Sequence, residues 1–454
     1  MAVAKVDGLV VFVPFAVPGD IADIQLCRKK KNYAEGRIAT LLSPSPLRVA
    51  PQCPHFGTCG GCKWQTLAYE AQLKAKQQQV KDSLERIGKI DCSGMQPICG
   101  SKAIYHYRNK LEFTFSTKAW HSLPIAPDAP PQPEWGALGF HVSRLFDKVL
   151  PITQCALQAE PSNAIRNAVR DYAIQHQLPC YDIRNHTGYM RNLVVRCTST
   201  GQWMVIVIVA EDSPDRLFPL LDMLHHRFPE ITSLQYIINP KWNDSYADLA
   251  VHTYHGSDHI EEQMEAYHGS TPLTFIINPK SFYQTNSAQA QRLYTHVAQM
   301  ADLRPTDTLY DLYTGTGTIA LFLASQVSKV VGIEYVEEAI ADAKSNALRN
   351  GYANTTFVAG DMAQVLTADF IALHGRPDVV VTDPPRAGMH EKVIAQLLAA
   401  RPRKIIYVSC NPATQARDLQ LLAEGYRVGR IQPVDMFPHT QHVENIAELL
   451  LRTD

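Results

Sequence analysis

From about residue 270 to its end, the chain alternates short β-branched apolar runs with longer segments of helical period. Parallel strands that neighbour each other need a crossover, usually a helix, so this rhythm predicts a doubly wound α/β sheet. Strands are expected at Thr308 to Leu312, Lys329 to Ile333, Thr355 to Ala359, Asp378 to Thr382 and Ile405 to Val408. Open sheets of this kind bind ligands beyond the carboxyl ends of their strands. The residues that follow each run therefore carry the most information.

After the first run comes Tyr313-Thr314-Gly315-Thr316-Gly317-Thr318, a strand-to-helix turn whose glycines let a ligand approach the backbone. Gly315 and Thr318 are read as ligand contacts. The second run ends in Glu334, 19 positions after Gly315, a spacing suited to an acid that binds ribose hydroxyls. Asp361 follows the third run and suits an adenine or ribose contact. The chain has no G-x-G-x-x-G and no Gly-Lys-Ser/Thr phosphate loop. The expected ligand is an adenosyl nucleoside without phosphates, S-adenosylmethionine, with a nicotinamide cofactor as the competing reading.

The fourth run ends in Asp383-Pro384-Pro385-Arg386. Methyltransferases acting on planar nitrogen centres follow such a D-P-P with an aromatic residue; Arg386 in that place argues against an exocyclic amine as target. The fifth run ends at Ser409-Cys410-Asn411-Pro412. Pro412 has no N–H, so the strand cannot run past it, and Cys410 is set at the ligand-binding edge. It is a candidate nucleophile, although a small buried hydrophobe is the commoner fate of a free cysteine. The terminal apolar run contains His442-Val443-Glu444-Asn445-Ile446. A carboxylate there, out of full solvent, is a candidate base; an exposed strand glutamate is the alternative.

The 454 residues allow roughly three domains. The longest apolar run, Trp203 to Ala210, is far short of a membrane span. No secretory signal is recognised, and ten unevenly spaced cysteines point to a reducing, cytoplasmic setting with metal or catalytic roles. Net charge is −1, yet residues 1–91 hold 13 Lys+Arg against 8 Asp+Glu, a net of +5, leaving −6 for the rest. A basic front end on a neutral protein predicts a localised surface for a polyanion.

Residues 1 to about 50 read as a small β-domain with three strands: Leu9 to Phe15, Ile21 to Leu26 and Gly36 to Leu42. Val3 to Gly8 reads as the end of a hairpin whose first strand is missing, so either Met1 is not the natural start or the barrel is incomplete. Arg28, Lys29, Lys30, Lys31 and Arg37, with Tyr33 nearby, form a basic ribbon suited to single-stranded RNA. Residues 53–62 read CPHFGTCGGC, a C-x5-C-x2-C loop able to converge on one metal centre. Cys53, Cys59 and Cys62 need a fourth ligand, for which Cys92, Cys99, Cys155 and Cys180 are candidates; iron–sulfur is favoured over zinc. A polar helix from Leu67 to Ile90 follows, with Gly88 as C-cap. A central α+β block has strands at Tyr105 to Phe115, Trp135 to Phe140, Phe146 to Leu150, Leu193 to Cys197 and Trp203 to Val209. Its helices are Pro161 to His176 and Arg216 to Phe228, and 121–134 is a Pro-rich loop. The expected domains are 1–50, 51–91, 92–268 and 269–454.

Five ordered motifs now fall together: Phe282-Tyr283-Gln284-Thr285-Asn286, Asp311-Leu312-Tyr313-Thr314-Gly315, Asp383-Pro384-Pro385-Arg386, Ser409-Cys410-Asn411-Pro412 and His442-Val443-Glu444-Asn445. In them, over essentially its whole length, the chain resembles the RNA uracil-5-methyltransferases. The cysteine loop and basic β-domain resemble the iron–sulfur branch that modifies 23S ribosomal RNA. The resemblance implies a class I Rossmann-like methyltransferase domain, an OB-like TRAM barrel at the N-terminus and a central α+β domain that binds RNA. It implies Cys410 as nucleophile, Glu444 as proton acceptor, and Gln284, Tyr313, Glu334 and Asp383 as cofactor-site residues. Cys155, after an apolar strand, is the implied fourth ligand of a 4Fe-4S cluster. The partner is RNA, ribosomal RNA first; no membrane and no obligatory protein partner are expected, and the chain is read as a monomer.

The chemistry fits these residue types. C5 of uracil is a poor nucleophile until a thiolate adds to C6, and a buried base must first be flipped out. A base then removes the C5 proton and the thiol leaves. No basic partner that would lower the Cys410 pKa can be assigned from the sequence, and the cluster is given a structural or RNA-shaping role. The alternatives are a tRNA uracil-5-methyltransferase, an RNA cytosine-5-methyltransferase and a non-catalytic RNA-binding module, the last opposed by the joint presence of Cys410 and Glu444.

Overall fold

The computed structural model describes residues 2–120, 135–143, 145–267 and 271–453. The Pro-rich segment 121–134, Met1 and the boundary expected at 268/269 lie outside the described residues.

The N-terminal sheet has four strands, not three: β1 (Ala2–Val6), β2 (Leu9–Val13), β3 (Ile21–Lys29) and β4 (Tyr33–Ser43), in the order β1-β2-β4-β3. Residues 3–6 are themselves the first strand, because Asp7 and Gly8 both take positive φ and turn the chain back as a tight hairpin. Its small core gathers Val11, Val13 and Ala34, with Leu9, Ala16, Ile24 and Ile38 packed against them.

Helix α1 (Tyr69–Arg86) is shorter than expected. Gly88 is not a left-handed cap; a Cβ there would come within 2.8 Å of the Ala416 carbonyl oxygen, so the residue serves a close backbone approach. The buried residues of α1 are Gln72, Lys76, Val80 and Leu84, one stripe at i, i+4 spacing.

The central sheet comprises β5 (Lys110–Ser116), β6 (Ala137–His141), β7 (Val149–Pro151), β8 (Met190–Cys197), β9 (Trp203–Val209), β10 (Ile231–Ile238) and β11 (His252–Gly256), in the order β11-β10-β9-β8-β5-β6-β7. Helices α2 (Ser162–Gln175) and α3 (Pro214–Arg227) cover one face. Along β9, Val205, Val207 and Val209 join that core, while Met204, Ile206 and Ile208 join the core shared with the C-terminal domain. A strand buried on both faces reads as a continuous apolar run. Two expectations need correction here. Tyr105 to Asn109 is irregular and hydrogen-bonds to Ala156, Leu157 and Thr285, and Phe146 is 64 % exposed ahead of β7.

A two-stranded sheet, β12 (Ile260–Met264) with β13 (Leu273–Ile277), leads into α4 (Ser287–Ala301). The C-terminal sheet follows: β14 (Thr308–Leu312), α5 (Thr318–Leu323), β15 (Lys329–Glu334), α6 (Glu337–Arg349), β16 (Thr355–Ala359), α7 (Met362–Val365), α8 (Ala368–His374), β17 (Val379–Thr382), α9 (Glu391–Ala400), β18 (Lys404–Ser409), α10 (Pro412–Leu422), β19 (Tyr426–Val434) and β20 (Glu444–Leu451). The order is β16-β15-β14-β17-β18-β20-β19, parallel up to β18 and then antiparallel through β20 and β19. Strand order reverses between β14 and β17, the switch point at which such sheets bind ligands. His442 and Val443, expected in the last strand, precede it.

Candidate active site

Strand β18 is buried throughout and stops because a helix begins at once: the Asn411 side chain accepts a hydrogen bond from Ala413 N–H and Pro412 occupies the first turn of α10. Cys410 is left at the strand end, partly exposed. Asn411 Nδ2 and Thr414 Oγ1 both donate to the Arg386 carbonyl, at 3.0 and 3.1 Å, and bind the D-P-P-R turn to the cysteine turn. Burial, Glu444 and Asp383 push the Cys410 thiol up; Arg386, by charge and a hydrogen bond, draws it down. Arg386 also reaches His442 Nδ1 at 3.3 Å. This is the cationic partner that the sequence left unassigned. Adjacent parallel strands present adjacent carboxyl ends, so the pairing of β17 with β18 was the signal.

Glu444 opens β20 and is 5 % exposed. Strand β18 pairs with β20 up to Ser409 opposite Asn445, so one step further sets Cys410 across from Glu444. Burial and the nearby Asp383 push the Glu444 carboxyl up to about 8, with Arg386 opposing.

The turn after β14 carries Gly315 and Gly317 at φ +55° and +80°, left-handed conformations that favour glycine. A Cβ at Gly315 would meet no atom within 4 Å, so the turn faces open space. Glu334 accepts from Gly315 N–H at 3.1 Å with one oxygen and from Tyr335 and Val336 N–H with the other. Tyr335, Val336, Glu337, Glu338, Ala359 and Gly360 line an opening of ≈ 490 Å³ beside it. Asp311, which sequence reasoning did not single out, accepts from Thr314 Oγ1 and Ala320 N–H with Oδ2, while its buried Oδ1 has no partner. Burial holds Asp311 at about 7, and burial with Asp311 holds Asp383 at about 7. Three neighbouring buried carboxyls resist ionisation, and one has an oxygen with no partner; in their ionised forms they would offset the charge of a cationic ligand such as a sulfonium.

The remaining expected cofactor residues differ in what they do. Thr318 Oγ1 lies 3.2 Å from the buried Tyr294 hydroxyl. Tyr313 stands beside Gly315 at φ +64°. Asp361 caps α7, accepting from Ala363 N–H, rather than standing free. Gln284 is tied through its backbone carbonyl to Asn109 Nδ2 at 2.9 Å, and Phe282, two residues before it, is 68 % exposed.

Cys53, Cys59, Cys62 and Cys155 line one cavity of ≈ 670 Å³ with Arg108, Phe140 and Phe146; Cys92, Cys99 and Cys180 are buried elsewhere. Among the described residues, no three His, Cys, Asp or Glu side chains are gathered so as to hold a single ion. Arg28, Lys29, Lys30, Lys31 and Arg37 are all exposed along β3, its turn and β4, and Arg37 Nε donates to Gln25 Oε1. Among the described residues no helix is long and apolar enough to cross a membrane.

Set beside known proteins, residues 254–452 match the family described as tRNA (Uracil-5-)-methyltransferase, and residues 1–39 match the TRAM domain. A Porphyromonas gingivalis protein named an uncharacterized RNA methyltransferase is 54 % identical over 462 residues, covering 100 % of this chain and 98 % of its own. A Bacteroides thetaiotaomicron protein of the same name is 54 % identical, covering 99 % of both chains. The crystal structure of Pyrococcus abyssi tRNA (uracil-54, C5)-methyltransferase in complex with S-adenosyl-L-homocysteine superposes with a TM-score of 0.74 at 27 % identity, covering 98 % of this chain and 96 % of that one.

Proposed function

The chain belongs to the tRNA (uracil-5-)-methyltransferase family, as an RNA methyltransferase using S-adenosylmethionine, and on that premise we propose that it methylates C5 of a uridine in 23S ribosomal RNA through a covalent Cys410 adduct. The observation that carries this reading is Cys410 across from Glu444, with Arg386 on the thiol.

When bound, S-adenosylmethionine supplies the methyl group that C5 takes up. The protein's own residues do the rest. Arg386 favours the thiolate of Cys410. The sulfur adds to C6 of the flipped uracil, which makes C5 nucleophilic. Glu444 in its ionised form then takes the C5 proton, the C5=C6 double bond reforms as the C6–S bond breaks, and Cys410 leaves as the thiolate. Glu334, Gly315, Thr318, Tyr313, Gln284, Asp361 and Asp383 form the cofactor's surroundings. Arg28, Lys29, Lys30, Lys31 and Arg37 bind phosphates, which positions RNA without reading bases.

We also assign Cys53, Cys59, Cys62 and Cys155 as ligands of a 4Fe-4S cluster with a structural role. The support is their common cavity and the resemblance of the C-x5-C-x2-C loop. Transfer RNA is the second reading, favoured by the whole-chain likeness to an enzyme named for a tRNA uridine. Mapping 5-methyluridine in ribosomal and transfer RNA from cells lacking the protein, with complementation by wild type and Cys410→Ala, separates the two. A mark that disappears from 23S RNA and is restored only by wild type supports the proposal. Disappearance confined to tRNA transfers it to the second reading, and no change in either RNA overturns both.

A further inference from the structure

The chain between β19 and β20, residues 435–443, delivers Glu444 to the pocket, yet much of its support comes from far away in sequence. Lys76 Nζ donates to Asp435 Oδ1 at 2.6 Å and to the Phe437 carbonyl at 3.0 Å. Both charged side chains are 0 % exposed. Tyr69 donates to the other Asp435 oxygen at 2.9 Å. Gln72 accepts from His439 N–H at 2.9 Å, and its Nε2 lies 3.1 Å from His439 Nδ1. The Met436, Pro438 and His439 carbonyls accept from Asn286, from the Tyr107 hydroxyl, and from Lys63 and Trp64 N–H. His439 itself has φ +66° and is 3 % exposed.

A sealed ion pair is a poor device for stability, because desolvation offsets much of its attraction and an apolar pair of similar volume often serves as well. What it does is fix geometry. The strongest reason to bury Lys76 on an otherwise polar helix is the segment it holds. We propose that Lys76 and Gln72 of α1 are positioning residues for the reaction. They clamp residues 435–439 so that the chain enters β20 with Glu444 over the C5 proton and His442 against Arg386. The inference rests on the proposed role of Glu444, and it reaches the base through a helix outside the catalytic domain. Misplacement of a catalytic group by about 1 Å costs on the order of 10²-fold in rate.

The test uses the full-length protein, S-adenosylmethionine and an unmodified transcript of the RNA, ribosomal or transfer, in which the mapping experiment finds the mark. Two variants are made: Lys76→Met with Asp435→Asn, which removes both charges together, and Gln72→Met, which leaves the ion pair. The readouts are kcat, cofactor affinity and the fraction of protein migrating as an RNA adduct under denaturing conditions, with Glu444→Gln as reference. Positioning of the base predicts that kcat falls by about 10²-fold, that cofactor affinity holds, and that adduct accumulates as it does in Glu444→Gln. Equal reduction of cofactor affinity and turnover with no adduct means a merely structural pair and overturns the proposal, as does unchanged kcat. If Glu444→Gln traps RNA and neither variant does, this proposal alone fails. If Glu444→Gln traps nothing, the base assignment fails and takes the proposal with it.

Discussion

Cys410 and Glu444 face each other across two antiparallel strands, one residue beyond the pair Ser409–Asn445. The proposed nucleophile thus follows directly on a buried strand, and the proposed proton acceptor opens the strand paired with it, entered through the segment that α1 clamps. Their roles come apart on mutation. Cys410→Ala should abolish turnover and leave cofactor affinity within about twofold, because the thiol lies on a different strand end from the glycine turn. Glu444→Gln should pass addition and methyl transfer and stop at elimination, giving a denaturation-resistant protein–RNA complex. Gel electrophoresis with labelled RNA reads both, and a Glu444→Gln enzyme that turns over normally would sink the assignment.

The crowding of carboxyls predicts a pH dependence. Asp311 and Asp383 sit at about 7 and Glu444 at about 8, all raised mainly by burial. A carboxyl whose folded pKa is raised favours the fold while protonated, and that contribution is lost as pH rises through the folded value. Their ordinary values are 3.8 and 4.5, so the melting temperature of the ligand-free protein should fall from about pH 4 to about pH 8 and level off above that. A cation in the cleft favours the ionised forms, so affinity for S-adenosylmethionine should rise over the same window. The neutral thioether S-adenosylhomocysteine should show a flatter profile. Calorimetric titration of both ligands checks this, and parallel profiles would refute it.

Arg386 is the cation that draws the Cys410 thiol down against burial and two carboxylates. Arg386→Met should move the ascending limb of the pH–rate profile to higher pH. At neutral pH it should cost about 10- to 100-fold, the range of a charged hydrogen bond worth about 1.5–3 kcal/mol. An unchanged limb with a raised KM for RNA would assign Arg386 to substrate binding instead.

Protein purified without oxygen should contain iron and sulfide and absorb broadly in the visible. Cys155→Ser should remove both, as should the Cys53, Cys59 and Cys62 variants, with lower solubility because closed metal sites contribute to folding. Stoichiometric zinc without iron would overturn the cluster.

Replacing Lys29, Lys30 and Lys31 with alanine should weaken RNA binding and lower the log–log salt slope by roughly 0.7 for each phosphate that is no longer neutralised. The modified uridine should not change if, as proposed, phosphate contacts position RNA without reading bases. Filter binding across a salt series and mapping of the product test the two halves. An unchanged slope would leave the ribbon a solvated surface.

Strand β9 was legible at both ends because an unbroken apolar run has one physical meaning when both faces are buried. The strand ends that carry Glu334, Asp383 and Cys410 were legible for a related reason: each apolar run stops at a polar or turn-forming residue. Lys76 was not. On its own helix it reads as surface charge, and the partner that buries it lies 359 residues away. Arg386 was visible as a residue but not as the partner of Cys410, because that needs the neighbour order of β17 and β18. The irregular path of 105–109 reads as strand in the sequence because its aromatic residues mimic β-patterning, while its hydrogen bonds go to distant backbone.

The support of residues 435–439 by 63–107 bears on how such a protein can be rearranged by recombination. A Rossmann half cut free at about residue 270 keeps Cys410, Glu444 and the cofactor cradle. It loses Lys76, Tyr69, Gln72 and Tyr107, and with them the groups that hold Asp435, Phe437, Pro438 and His439. The fragment has the chemistry written into it but lacks the mould that shapes its last turn. A front end fused to this methyltransferase half in place of residues 1–270 would have to bring an equivalent of α1 to restore those contacts.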